Sequence, residues 1–305
     1  MRQCLASVYD SIGRCNGKCD YEVLIANDAS TDGSLSICNE FAGRDEGRFH
    51  VFTHEENLWS AEARNTLLRH VSGDYVAWVD ADDEVECEWL SAIVDGIERF
   101  APDIVAYDYT ECRGSVQKVN AYGVRILGIQ QGAVDMTNPR KCILDIIYGI
   151  NGALSYLWPK VFKRQLFDRL CFDTPRYVFE DMMMWNKLAP RIQTVAYIAK
   201  PLYKYRINES GETCNRPFEY QVMDIDCLLQ QATTVAQPWK KAIEYRAAAK
   251  MRTVIRDYGE GRSGMKIAKV KIFEYKQFIR DHWLSILLDV HLNARKKLGA
   301  LLYSI

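Results

Sequence analysis

The chain of 305 residues is 48% hydrophobic and 26% charged, an ordinary balance for a soluble globular protein and enough for one large α/β domain or one domain with a helical appendage. No apolar run approaches the roughly 20 residues that span a bilayer, Met1-Arg2-Gln3-Cys4-Leu5 lacks the apolar core of a signal peptide, and the ten cysteines have no disulfide-framework spacing, which suits reduced thiols in a cytoplasm. The net charge of −1 hides an asymmetry: residues 237–305 carry a balance of +9 and the remainder −10, a polarity that points to an anionic partner surface, membrane or nucleic acid.

In chain order, Met1–Ile12 reads as a helix. Strand-like runs follow at Tyr21–Ala26, Phe49–Thr53, Tyr75–Val79 and Asp103–Tyr109, separated by helical segments near Leu35–Gly43, Ala61–Val71 and Trp89–Phe100. Such alternation predicts a mostly parallel sheet with helices on both sides, whose ligands bind at the carboxyl ends of the strands. Further on, the pattern predicts helices at Asn138–Tyr148 and Glu180–Leu188 and two short strands, Thr194–Ile198 and Leu202–Arg206. After Phe218 the chain reads as wholly helical. Its last segment spaces Leu284, Leu287, Leu288, His291, Leu298, Leu301 and Leu302 as a helical stripe, with Arg295, Lys296 and Lys297 between them.

Three carboxylates, Asp80, Asp82 and Asp83, crowd the end of the run Tyr75-Val76-Ala77-Trp78-Val79. Acids that close raise one another's pKa unless a cation sits among them. A Mg²⁺ or Mn²⁺ ion held by one or two oxygens and completed by substrate phosphates would relieve the repulsion. The alternative is an acidic helix start, favoured by the helix dipole. The same two readings stay open for Asp28 and Asp32, which flank Ser30-Thr31 in a turn before a helix: a cap, or a contact to a nucleotide. His50 and His54 fall on a strand and a loop, a pattern of structural rather than metal-binding histidines. Cys4, Cys15, Cys19 and Cys38 lack zinc-knuckle spacing. Met182, Met183, Met184 and Trp185 read as packing for the helix that begins at Glu180.

Six segments then follow one another in order: Val23–Ser34 (VLIANDASTDGS), Asn57–Asn65 (NLWSAEARN), Gly73–Asp83 (GDYVAWVDADD), Trp158–Lys163 (WPKVFK), Phe179–Asp181 (FED) and Leu202–Asn208 (LYKYRIN). Together they resemble a family 2 glycosyltransferase of the GT-A fold, over about two thirds of the chain. The resemblance implies a Rossmann-like α/β domain over 1–213, followed by a basic helical region over 214–305. It implies an inverting transfer of one sugar from a nucleotide-sugar, a UDP-sugar foremost, to an acceptor hydroxyl. By the same resemblance Asp28, Asp32, Arg64, Asp80 and Ala81 belong to the donor side, with Asp28 and Arg64 near the base. Asp82 would be the direct ligand of Mn²⁺ or Mg²⁺, Asp181 the catalytic base, and Glu180, Tyr205 and Arg206 would line the acceptor side. Bacterial surface polysaccharide or glycolipid assembly is the implied setting, with a glycan or lipid-linked acceptor, no nucleic acid partner, a cytoplasmic location, and peripheral contact with the inner face of the membrane through the basic C-terminal helices.

The chain departs from this pattern in three places. The apolar first strand with its Pro-Val-Tyr-Asn type turn has no counterpart, which predicts two strand edges left open and raises two readings: a start codon assigned too late, or a truncated, inactive copy that binds without turnover. Leu58-Trp59 stands where glycines are usual, and Glu62 where a small residue is usual. The Gln-x-x-Arg-Trp motif of processive synthases is absent, and no Gly-rich phosphate loop supports a nucleotidyltransferase.

Overall fold

A computed structural model of the protein describes residues 1–45, 47–151, 155–174, 179–208, 218–260 and 269–301. The chain divides into two compact units, Met1–Asn215 and Arg216–Ile305. The boundary expected between 213 and 214 lies outside the described residues.

The first unit opens with α1 (Arg2–Arg14), β1 (Val23–Asn27), α2 (Ser34–Ala42), β2 (Phe49–Thr53), α3 (Trp59–His70), β3 (Tyr75–Ala77), β4 (Glu84–Val85) and α4 (Trp89–Phe100). It continues with β5 (Ile104–Arg113), β6 (Val116–Asn120), β7 (Val134–Thr137), α5 (Pro139–Tyr148), β8 (Lys160–Lys163), α6 (Glu180–Leu188) and β9 (Val195–Arg206). Local chemistry explains the boundaries. In α5, Asn138 caps the first turn by accepting from Lys141 N–H at 3.1 Å, Pro139 takes the first helical position, and Gly149 ends the helix at φ +64°.

The α/β class expected from the alternation is present, but the sheet is more mixed than the expected parallel one. Seven strands form one sheet in the order β3-β8-β5-β9-β4, with β6 on β5 and β7 on β9, while β1 and β2 pair separately in parallel. Within the larger sheet, among the described residues, only β5 and β9 are parallel. The reason is β8: it lies antiparallel between β3 and β5, which therefore run the same way without touching. The two strands expected at 194–206 are one strand. Its register against β5 shifts where Pro201 faces Asp108, an irregularity of the kind at which a strand tolerates proline.

Among the described residues β1 pairs only with β2 and β3 only with β8, so each keeps one edge without a strand partner. Helix α1 spans this region. Its Val8 joins the cluster built on Trp89, Tyr107, Trp158 and Tyr203, and its Leu5 joins a second cluster with Ile25, Cys38, Phe41 and Phe49. The Glu22 carboxylate ties the starts of β1 and β3 together, accepting from the Ser72 and Gly73 N–H groups at 2.7 and 3.0 Å.

The regular elements among the second unit's described residues are all helices, as the pattern predicts: α7 (Phe218–Ala232), α8 (Trp239–Gly259), α9 (Lys269–Leu287) and α10 (Ala294–Leu301). Lys250 on α8 pairs with the buried Asp224 of α7 at 3.2 Å, and Lys271 on α9 pairs with Asp226 at 2.9 Å. Among the described residues no helix of the chain is long and apolar enough to cross a membrane.

Candidate active site

Strand β3 delivers the acid run to its carboxyl end, and the four residues after Val79 take different paths. Asp83 N–H donates to the Asp80 carbonyl at 3.0 Å, closing a turn. Asp83 itself is fully buried, accepting from Tyr203 Oη at 2.8 Å and from Arg206 N–H at 2.7 Å. Burial pushes its carboxyl up to about 8. The third acid of the run is thus a strut between the turn and β9. Ala81 and Asp82 are exposed, and among the described residues the Asp82 carboxylate has no hydrogen-bond or ion-pair partner. Arg206, expected at the acceptor side, braces the turn: Nε donates to the Asp82 carbonyl, while Nη1 donates to Gln3 Oε1 and lies 3.3 Å from Glu84.

Arg64, on the second turn of α3, is the hub of the site. Its Nη1 donates to Glu180 Oε1 and, at 2.6 Å, to Asp181 Oδ1, while Nη2 donates to Asp80 Oδ1 at 3.1 Å. The guanidinium lies 5.8 Å from the rings of both Trp78 and Phe172, and its side chain is only 11% exposed. Helix α6 supplies the other side, presenting Glu180 and Asp181 from its first turn. Ser60 Oγ adds a bond to Glu180 Oε1 at 2.9 Å, and the Leu157 N–H donates to Asp181 Oδ2 at 3.3 Å. Burial raises the Asp181 carboxyl to about 7; Arg64 opposes the rise, and Glu180 and Asp80 add to it. Asp80 is raised in the same direction, again by burial first.

The structure therefore brings together Arg64, Asp80, Glu180 and Asp181, but gives Asp28 and Asp32 other partners. Asp28 Oδ1 meets His54 Nδ1 at 2.7 Å and accepts from Leu58 N–H at 2.9 Å, and His54 Nε2 meets Thr66 Oγ1 at 2.8 Å. His54 is a structural histidine, as its position suggested. Asp32 is exposed and accepts from the Ser34 N–H at 2.9 Å, at the start of α2; the bond to Ser34 holds its pKa below the usual value.

Tyr205 belongs to an aromatic stack centred on Trp158: its ring lies 5.2 Å from Trp158 at 19°, Tyr203 stacks at 4.5 Å, and Tyr156 at 5.4 Å. The segment Trp158–Lys163 carried the family resemblance, yet it gave no sign that Trp158 organises this stack. Nor did it reveal Lys160, a buried lysine whose Nζ donates to the Tyr156 carbonyl at 2.7 Å and lies 5.3 Å from the Trp185 ring. Burial lowers its pKa to about 7, against the pull of Cys142 and Asp181. Ser60 was also missed; only its place one turn before Arg64 could have pointed to it.

Three strained backbone positions adjoin residues named above. Of the seven described non-glycine residues with positive φ, Ala29 (+52°) follows Asp28, Trp59 (+67°) opens α3, and Phe179 (+60°) precedes Glu180. Trp59 is the residue that stands where the family pattern has a glycine, and its conformation is the left-handed one that glycine adopts without cost.

No three His, Cys, Asp or Glu among the described residues converge as a closed metal site. A Mg²⁺ or Mn²⁺ ion completed by substrate phosphates needs only one or two carboxylates, and the exposed, unpartnered Asp82 fits that requirement.

Comparison with known proteins finds relatives in sequence and in fold. The Glycosyl transferase family 2 model matches residues 1–134. Glycosyltransferase GlyA of Streptococcus pneumoniae is 27% identical over 288 residues, covering 91% of this chain and 39% of its own length. TuaG of Bacillus subtilis, named for teichuronic acid biosynthesis, is 44% identical over 64 residues, 21% of this chain and 25% of TuaG. The chain thus spans about two fifths of GlyA. Among solved structures, residues 1–349 of S. aureus TarS align with a TM-score of 0.61 at 16% identity, covering 98% of this chain and 83% of that one. The same fragment in complex with UDP-GlcNAc aligns equally well, at a TM-score of 0.61 and 16% identity, over 99% of this chain and 84% of that one. The likeness establishes the GT-A fold.

Proposed function

We propose that the chain, whose residues 1–134 match the Glycosyl transferase family 2 model, is an inverting, metal-dependent hexosyltransferase that moves one sugar from a UDP-sugar to a glycan or lipid-linked acceptor at the cytoplasmic face of the membrane. The observation that carries this reading is the Arg64 cluster, which holds Asp181 beside Glu180 and Asp80 and leaves Asp82 open. A carboxyl raised to about 7 suits a general base at neutral pH. The acceptor hydroxyl attacks the anomeric carbon while Asp181 takes its proton; the bond from that carbon to the diphosphate oxygen breaks in the same displacement, so configuration inverts. Bound at Asp82, Mg²⁺ or Mn²⁺ would take up charge on the departing diphosphate, a contribution of several kcal/mol.

On the donor side, Asp28 spends one carboxylate oxygen on His54 and Leu58 and keeps Oδ2 for a nucleobase N–H. The UDP-GlcNAc complex of TarS supports a UDP-sugar, and the name of TuaG supports a surface-polysaccharide setting. Ala81 and Asp32 join the donor side, and Tyr205 and Glu180 the acceptor side, by family resemblance. Arg206 serves the acceptor side indirectly, through the turn it braces.

The test is nucleotide release from a panel of nucleotide-sugars, with and without an acceptor glycan, in Mn²⁺ or Mg²⁺. We expect release that needs the metal and disappears in Asp82→Ala. Release that persists in a chelator, or in Asp82→Ala, would overturn the metal-dependent mechanism.

A further inference from the structure

Helix α9 is apolar on two opposite faces. Ile272, Tyr275, Ile279 and Ile286 are buried against the rest of the second unit. On the other side Val270 (66% exposed), Phe273 (64%), Leu284 (50%) and Leu288 (65%) open to solvent, and Val290 just beyond the helix is 88% exposed. The stripe read from the sequence through Leu284, Leu287 and Leu288 is thus not a packing face, and its far end at Leu302 lies outside the described residues. An open apolar patch of this kind marks an interaction surface.

The charges identify the covering partner. Over residues 269–298, Lys and Arg outnumber Asp and Glu seven to three. Lys269 and Arg280 lie on the exposed apolar side of α9, and Arg295, Lys296 and Lys297 follow on α10. Of the three acids, Asp289 is buried against Lys241 at 3.6 Å, Glu274 lies 3.9 Å from Lys271, and Asp281 accepts from Gln277 at 2.9 Å. A second copy docked through the same face would set these cations against their like, whereas an anionic lipid surface satisfies the charges and the apolar side chains together. Among the described residues none of these helices is long enough and apolar enough to cross, so the contact is one of lying on the surface.

We propose that the exposed face of α9, with the basic residues of α10, docks the protein on an anionic lipid bilayer. This deepens the reading of a lipid-linked acceptor, and its purpose rests on that reading; the docking itself does not. Each Lys or Arg brought to such a surface strengthens binding about fivefold, and the effect fades with salt.

The experiment is flotation of the full chain with vesicles of equimolar phosphatidylglycerol and phosphatidylcholine, and with phosphatidylcholine alone. We expect flotation with the anionic vesicles only, weakened by salt and abolished in Phe273→Glu/Leu288→Glu, with thermal unfolding checked for each variant. Arg280→Glu/Lys297→Glu, which leaves the apolar face intact, should lower vesicle binding at least tenfold. Absence of flotation with anionic vesicles would overturn the proposal. So would undiminished flotation of both variants, or self-association in sedimentation that the Phe273→Glu/Leu288→Glu variant abolishes. Nucleotide release measured on the same samples separates the two readings: release without flotation removes the docking alone, and flotation without release removes the catalytic reading alone.

Discussion

The first unit buries carboxylates in two regions, by opposite means. On β5, Asp108 accepts from Gly123 N–H at 3.1 Å and Tyr197 Oη at 2.7 Å. Nearby Asp145 accepts from Tyr122 Oη at 2.8 Å, Asn151 Nδ2 at 3.1 Å and Lys141 Nζ at 3.0 Å. Each acid there has its own donors, and the rings of Tyr122 and Tyr197 that supply two of them lie 5.7 Å apart. At the end of β3, by contrast, three acids share the single guanidinium of Arg64. Matched donors make a strut. Surplus acid around one cation is costly to fold and is kept where a proton or a metal must later be handled.

The largest effect expected from this contrast is kinetic. Asp181→Asn keeps the shape of the carboxyl but cannot take a proton, so turnover should fall by about 10²–10⁴-fold. Asp108→Asn should leave turnover within a few-fold and instead cost about 1–3 kcal/mol in denaturant unfolding. Equal losses of activity in the two variants would erase the distinction between the regions.

Removing the shared cation should unsettle the fold as well. In Arg64→Ala, Asp80, Glu180 and Asp181 lose their common partner, and a destabilisation of about 3–5 kcal/mol is expected in urea unfolding. A variant as stable as the parent would mean that the three acids find other compensation, and that Arg64 is not the hub.

The smallest effect is a divergence with pH. Asp181 holds its proton up to about 7 in the folded chain, against 3.8 for an unperturbed carboxyl. Between those values the folded state binds the proton that the unfolded state has released. Its contribution to stability is therefore full below the lower value and lost as pH rises through about 7. The base works only when ionised, so kcat/KM should rise over the same interval in which this contribution to stability falls. Asp181→Asn should flatten that part of the stability profile, measured by thermal unfolding across pH.

Much of this molecule was legible before its structure. Phe49–Thr53, Trp89–Phe100 and Glu180–Leu188 form at the boundaries their periodicity predicted, because each is a local pattern with its own start and stop signals. The acid run at the end of β3 and the acid pair at the start of α6 were equally visible, since carboxylates at element ends stand out against apolar neighbours. The placement of β8 was not: Lys160–Val161–Phe162–Lys163 is too short for its period to declare a direction. Only pairing in space shows it running antiparallel between β3 and β5.

The sequence by itself determined the element types and the supply of acids, because periodicity and charge are properties of neighbouring residues. Which acid does what was decided in three dimensions. Asp82 and Asp83 are adjacent and chemically identical, yet one faces solvent and the other is sealed beneath Tyr203, 120 residues further along the chain. Arg64 finds Asp181 across 117 residues, and no spacing rule reaches that far. Burial and the identity of distant donors set both the pKa of a carboxyl and its freedom to act, and only tertiary structure supplies them.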